Sequence, residues 1–123
     1  DVCHDTTTPM IDKKQHGEFK CGKGPVITYA PAVHGIIREL ILSTAEAQKI
    51  DIQRDAASRV TGTDTDAFAY NGGGVPSALI SLPLKYMHTT VETVAKSDVE
   101  DVIKLIFETL KKISPKMKLK YLQ

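Results

Sequence analysis

Few residues of this chain are of the kind that does chemistry. His88 stands in "SALISLPLKYMHTT", residues 77–90, where an apolar run reads as a buried strand interrupted by Pro83. Proline lacks the N–H that continues a sheet ladder, so the chain is expected to leave the sheet there, and residues 84–87 to deliver His88 to the strand's end. On its own, a lone histidine is more often a surface or hydrogen-bonded residue than a ligand. Asp64 and Asp66 in "GTDTDAFAY" could form a carboxylate pair for acid/base work, but their commoner role is helix capping and compensation of the helix dipole. Gly72, Gly73 and Gly74 lack the Gly-x-x-x-x-Gly-Lys-Ser/Thr pattern of a phosphate cradle and read as a turn. Cys3 and Cys21 are too far apart to be a close metal or redox pair, and free thiols in a reducing compartment are expected. His4 and Asp5 are neighbours on an extended segment and point to opposite faces, so they are read as loop residues, one of which could hydrogen-bond a neighbouring ligand.

Elements must hold these groups in place. Residues 6–9 are turn-forming, and "GEFKCGKGP", residues 17–25, marks a loop or tight hairpin. "VITY", residues 26–29, is a β-branched and aromatic strand. From 32 to 49, Val33, Ile36, Ile37, Leu40, Ile41, Thr44 and Ala45 recur at helical spacing and predict one buried stripe, with Pro31 at the helix start. "IDIQRDA", residues 50–56, predicts a strand. Thr63 or Asp64 is expected to cap a short helix reaching Tyr70, and "VPSALISL" reads as a central strand buried on both faces. Ser97 and Glu100 form a capping-box pattern ahead of a helix through Ile113, whose buried face would hold Val99, Val102, Ile103, Ile106, Leu110 and Ile113; Pro115 closes it. This alternation predicts an α/β fold, a mainly parallel sheet covered by helices, with ligands gathering beyond the carboxyl ends of the strands. Asp1 is placed at another such edge.

Composition closes off other functions. The chain has 123 residues, 41% hydrophobic and 25% charged, and carries 16 basic against 15 acidic residues, so residues 1–123 are read as one globular unit. A net charge of +1 gives no electrostatic reason for nucleic acid or an anionic membrane as partner. The apolar runs are far shorter than the roughly 20 residues needed to cross a bilayer, and no secretory signal opens the chain. A cytoplasmic protein is expected. The lysine-rich tail "KKISPKMKLKYLQ" is read as a solvated chain end. The chain opens on Asp1, without methionine and at an apparent strand end, and is expected to be a fragment.

"DVCHDTTTP", "GKGPVI", "GTDTDAFA", "GGVPSALISLPLKYMHTTVE" and "DVEDVIKLI" occur in this order and spacing. Together they resemble the carboxyl-terminal part of the dinuclear-metal aminopeptidases that include glutamyl, deblocking and tetrahedral aminopeptidases, over nearly the whole chain. The resemblance implies the C-terminal portion of a zinc-exopeptidase-like α/β/α domain. It also implies a peptide substrate, two divalent ions (zinc or cobalt), and a homo-oligomer built from dimers, up to a dodecamer. It makes Asp1 a ligand of one metal and His88 a ligand of the other, and puts Gly62, Thr63 and Asp64 near the substrate. Glu92 would position the histidine loop or form a surface salt bridge. The remaining ligands and the general-base glutamate of the family lie upstream of Asp1, so no catalytic residue is assigned here, and the isolated chain is expected to bind metal poorly and hydrolyse nothing.

Two departures from the family pattern bear on the pocket. "HTT" stands where "HSP" is more frequent, and "GTDTDA" where "GTDADA" or "GTDAGA" is found. Two other readings stay open: a non-catalytic oligomerisation module, and a glycoside hydrolase, which needs two carboxylates roughly 5–10 Å apart across a glycosidic bond.

Overall fold

The computed structural model describes residues 1–120; Tyr121, Leu122 and Gln123, the end of the lysine-rich tail, lie outside the described residues. In chain order come β1 (Val2–His4), α1 (Lys13–His16), β2 (Val26–Tyr29), α2 (Gly35–Gln48), β3 (Gln53–Ala56), α3 (Thr65–Ala69), a 3-10 turn (Asn71–Gly73), β4 (Ile80–Lys85), β5 (Thr93–Val94) and α4 (Lys96–Leu110). The sheet runs β1-β4-β2-β3, with β5 also paired to β4. β1 with β4 and β2 with β3 are parallel, whereas β4 runs antiparallel to both β2 and β5. The α/β class is as expected, and the sheet is mixed.

Hydrophobic burial explains the middle of the sheet. Val26 and Ile27 on β2 are almost completely buried, and Ile27 packs with Ile41 and Ala45 of α2, Ile50, and Leu105 of α4. The predicted stripe of α2 is largely buried, except for exposed Ile36. Thr44 is buried within that stripe because its hydroxyl donates to the Leu40 carbonyl at 2.7 Å and accepts from Lys112 Nζ at 3.0 Å. The helix begins at Gly35, later than Pro31 suggests, because Val33 N–H bonds the Ala30 carbonyl and forms a turn first.

Three expectations about chain breaks are corrected. β4 does not stop at Pro83 but continues to Lys85. Leu82 donates to Asp1 and Leu84 accepts from Asp5, so the backbone of Pro83 faces away from β1. On that side the pairing with β2 has ended at Ser81, and no ladder bond is lost. α4 starts after Ala95 with no side-chain cap and ends at Leu110, so the Ser97–Glu100 capping box is not formed. Its supposed buried face is also only partly covered: Leu105, Asp98 and Thr109 are buried, while Ile103, Ile106, Leu110 and Ile113 are exposed. No helix among the described residues is long and apolar enough to cross a membrane.

Candidate functional site

β1, the segment after β3 and the loop after β4 line a cavity of about 720 Å3. Asp1, Gly62, Thr63 and His88 all contribute to its walls, beside His4, His16, Asp55 and Arg59. Asp64 instead lines an adjoining groove of about 650 Å3, which Asp1 and Thr63 share. The fold thus brings the sequence-selected residues to two adjoining concavities. His88 lies beyond the carboxyl end of β4, as expected. Asp1 does not occupy a carboxyl-end edge: it precedes β1 and lies alongside β4, where its amino group donates to the Ile80 carbonyl at 3.0 Å. Because β1 is only three residues long, the cavity spans the whole strand.

Local backbone geometry presents His88. Its φ is +63° and that of Tyr86 is +56°, a left-handed conformation that costs a non-glycine residue energy unless the surroundings hold it. Glu92 does so in part: its Oε1 accepts the His88 amide at 2.6 Å. The Thr89 hydroxyl closes the same loop by donating to the Tyr86 carbonyl at 2.6 Å. Glu92 is therefore engaged by the histidine loop, and among the described residues it forms no salt bridge. Among the described residues the His88 imidazole makes no hydrogen bond. One oxygen of Asp1, Oδ1, accepts the Val2 amide at 2.7 Å, and Oδ2 has no such partner among them.

The "GTD" segment is held by the Asp66 carboxylate, and of the two expected caps, Thr63 or Asp64, it is Thr63 that bonds the helix start. Asp66 accepts the Thr61 amide at 2.9 Å and the Gly62 amide at 3.0 Å, and Gly62 takes a φ of +72°. Thr63 Oγ1 accepts from the Thr65 amide at 3.3 Å and so serves as the cap, while Asp64 makes no capping bond. With Asp66 committed to backbone amides and Asp64 exposed to the neighbouring groove, the two are not arranged as a general acid/base pair.

Other titratable groups near the cavity divide by environment. His4 and His16 meet edge to face with ring centroids 5.1 Å apart. Burial, and then the nearness of His16 and His88, lowers the pKa of His4 below 6.5, which favours a neutral imidazole. Sequence reasoning overlooked His16, which sits at the end of a four-residue helix with no motif around it; only the folded chain places it here. Burial pushes the Cys3 thiol up to about 12, with Asp55 adding to the effect, and burial beside Asp5 pushes Cys21 up to about 11. Both are free thiols, and burial disfavours the thiolate that a cysteine nucleophile needs. Burial alone would raise Asp5, but amide and hydroxyl donors from Cys21 and Thr7 outweigh it and lower its pKa to about 2. Asp5 is a structural carboxylate.

Among the described residues, no three His, Cys, Asp or Glu side chains are grouped to hold a metal ion. Asp1 and His88 nevertheless offer an oxygen and a nitrogen donor, both uncommitted, on the walls of one cavity. Such donors suit divalent ions, but catalytic zinc takes three protein ligands. These two fit a share of a metal site, not a whole one.

Residues 1–105 match the family model described as M42 glutamyl aminopeptidase. A lysyl aminopeptidase of Pyrococcus furiosus is 35% identical over 94 residues, which are 76% of this chain and 27% of that protein. Among solved structures, the TET aminopeptidase of the marine sediment archaeon Thaumarchaeota archaeon SCGC AB-539-E09 superposes with a TM-score of 0.81 at 26% identity, covering 94% of this chain and 32% of the other. The dodecamer PhTET1-12s superposes with a TM-score of 0.61 at 34% identity, covering 78% of this chain and 29% of the other. The chain spans about a third or less of the length of these relatives.

Proposed function

Because the chain belongs to the M42 glutamyl aminopeptidase family, we propose that it forms one share of a two-metal aminopeptidase site that removes amino-terminal residues from peptides. The observation that carries this reading is the common cavity of Asp1 and His88. Asp1 would hold one divalent ion, zinc or cobalt, through its carboxylate, and His88 the neighbouring ion through its imidazole. When bound, two such ions polarise a peptide carbonyl and lower the pKa of water.

The chain's own residues then act around that centre. The Glu92 carboxylate keeps the His88 loop in its left-handed conformation. Asp66 fixes the amides of Thr61 and Gly62, which shapes the wall formed by Gly62 and Thr63 where a peptide would lie. Asp64, in the adjoining groove that Asp1 also lines, is the third substrate-facing candidate. No residue of this chain is assigned the transfer of a proton to the leaving amine, a role that needs a positioned carboxylate. The dodecameric PhTET1-12s supports a homo-oligomeric parent enzyme, and the near-neutral charge gives no electrostatic reason for nucleic-acid or anionic-membrane partners.

Peptidase assays of the isolated chain with zinc, cobalt or manganese test the reading. The expected result is no turnover, with activity appearing only in a longer polypeptide carrying a further histidine, aspartate and glutamate pair. Robust hydrolysis by the 123-residue chain would refute it.

A further inference from the structure

Two further histidines line the larger cavity, and the site described above uses neither. His4 ends β1, where it is held in register with Leu84 of β4. His16 ends α1, a helix fixed at its start by the Asp12 carboxylate, which accepts the Lys14 amide at 2.9 Å, and at its end by the Gly17 amide on the Lys13 carbonyl. Two separately anchored elements thus carry the imidazoles together. Both residues are half-buried, and among the described residues neither ring makes a hydrogen bond.

Their spacing is that of a chelate. An imidazole nitrogen binds zinc at about 2.0–2.1 Å and the ring centre lies roughly 1 Å behind that nitrogen, so two imidazoles on one tetrahedral ion hold their centres roughly 5 Å apart. In this chain the centres of His4 and His16 are 5.1 Å apart, with the ring planes at 70°. Turning one ring about its Cβ–Cγ bond, a soft torsion in histidine, aims a nitrogen of each at a common point and leaves the centres nearly in place. Edge-to-face contact by itself is ordinary ring packing. Packing alone, however, has no need of a polar cavity wall, and this pair stands on one beside Gln15 and Asp55.

We infer that His4 and His16 bind one divalent transition-metal ion of the kind that imidazole suits (zinc, nickel or copper) at a site separate from Asp1 and His88. Magnesium and calcium, which seek oxygen ligands, are not expected there. Among the described residues no third His, Cys, Asp or Glu completes a group around them, so the two imidazoles are the chain's whole contribution and water fills the other positions. The site is therefore weak and exchangeable, unlike structural zinc with its four protein ligands. It stands independently of the aminopeptidase reading, because it shares no ligand with Asp1 or His88. An ion held there would add positive charge to the cavity in which that reading places the peptide.

Nickel titration of the 123-residue chain, followed by calorimetry and by NMR of its four histidine rings, tests the site. One ion is expected to bind and to perturb the rings of His4 and His16 ahead of those of His34 and His88. His4→Ala and His16→Ala should each weaken binding at least tenfold, whereas His88→Ala and Asp1→Ala should change it less than twofold. α1 has no buried residue, so His16→Ala should keep the fold, as circular dichroism verifies, and it keeps the test decisive if His4→Ala does not fold. His16→Cys restores a metal donor and should recover most of the affinity that His16→Ala loses, a rescue that a packing role would not give. Absence of binding, binding indifferent to His4 and His16, or binding lost as strongly with His88→Ala or Asp1→Ala overturns the inference; the last result would place the ion on the donors already described.

Discussion

Asp98 and Asp1 are both aspartates next to the sheet, and they do opposite things. Asp98 is 1% exposed and accepts the Gly22 amide at 2.7 Å and the Gly24 amide at 3.0 Å; Asp5, equally buried, accepts the amides of Thr7 and Cys21. Together with Gln53, which bonds Lys20 and Gly24, they pin the loop before β2 from three sides. Across β1, Asp1 and His88 keep donor atoms free toward a cavity. The contrast separates polar groups saturated with backbone donors, which stabilise the fold, from groups left unsaturated, which are available for chemistry.

Substitutions in the pinned region should give the largest losses. At Gly24 φ is +84°, and an added Cβ would lie 1.9 Å from the Asp51 carbonyl oxygen, a clash with backbone that no rotamer relieves. Gly24→Ala should cost about 3 kcal/mol or more, or prevent folding, as read by urea denaturation. Asp98→Ala strands two amides in a buried loop, and a loss of about 2–3 kcal/mol is expected; a change below about 0.5 kcal/mol would erase the proposed distinction.

Asp5 sharpens the comparison through pH. Its pKa falls from 3.8 in the ordinary state to about 2 in the folded chain, so its contribution is complete above pH 4 and is lost as the pH falls toward 2. That contribution is up to about 2 kcal/mol, and Asp5→Asn should flatten this acid limb. On the cavity side effects on stability should be small. Glu92→Ala removes one bond to a strained loop, should cost about 1 kcal/mol, and should raise hydrogen exchange at the His88 amide. His88→Ala should change stability by no more than about 0.5 kcal/mol.

What the sequence revealed follows the same division. The stripe of α2 and the strand at β2 were legible because burial writes a period into the residues. The ends of α4 were not: Ser97 and Glu100 look like a cap, yet the buried carboxylate of that turn, Asp98, is engaged by Gly22 and Gly24. Pro83 suggested a stop because the sequence does not say which side of a strand lacks a partner. For α4, periodicity showed that a face was apolar but could not show how much of it this chain covers. The position of His88 beyond β4 was legible from the apolar run before it, whereas the proposal that Asp1 and His88 hold metal rests on resemblance to a family, and His16 had no signal at all.

Paramagnetic broadening by Mn2+ tests the central claim most directly, because it locates even a weak, millimolar site. With Mn2+ added to the isolated chain, NMR signals of Asp1, Val2 and His88, and of Gly62 and Thr63 across the cavity, should broaden first, and His88→Ala together with Asp1→Ala should abolish the effect. Broadening confined to other carboxylates, such as those of Glu46 and Asp51, with the signals around His88 left sharp, would contradict the assignment.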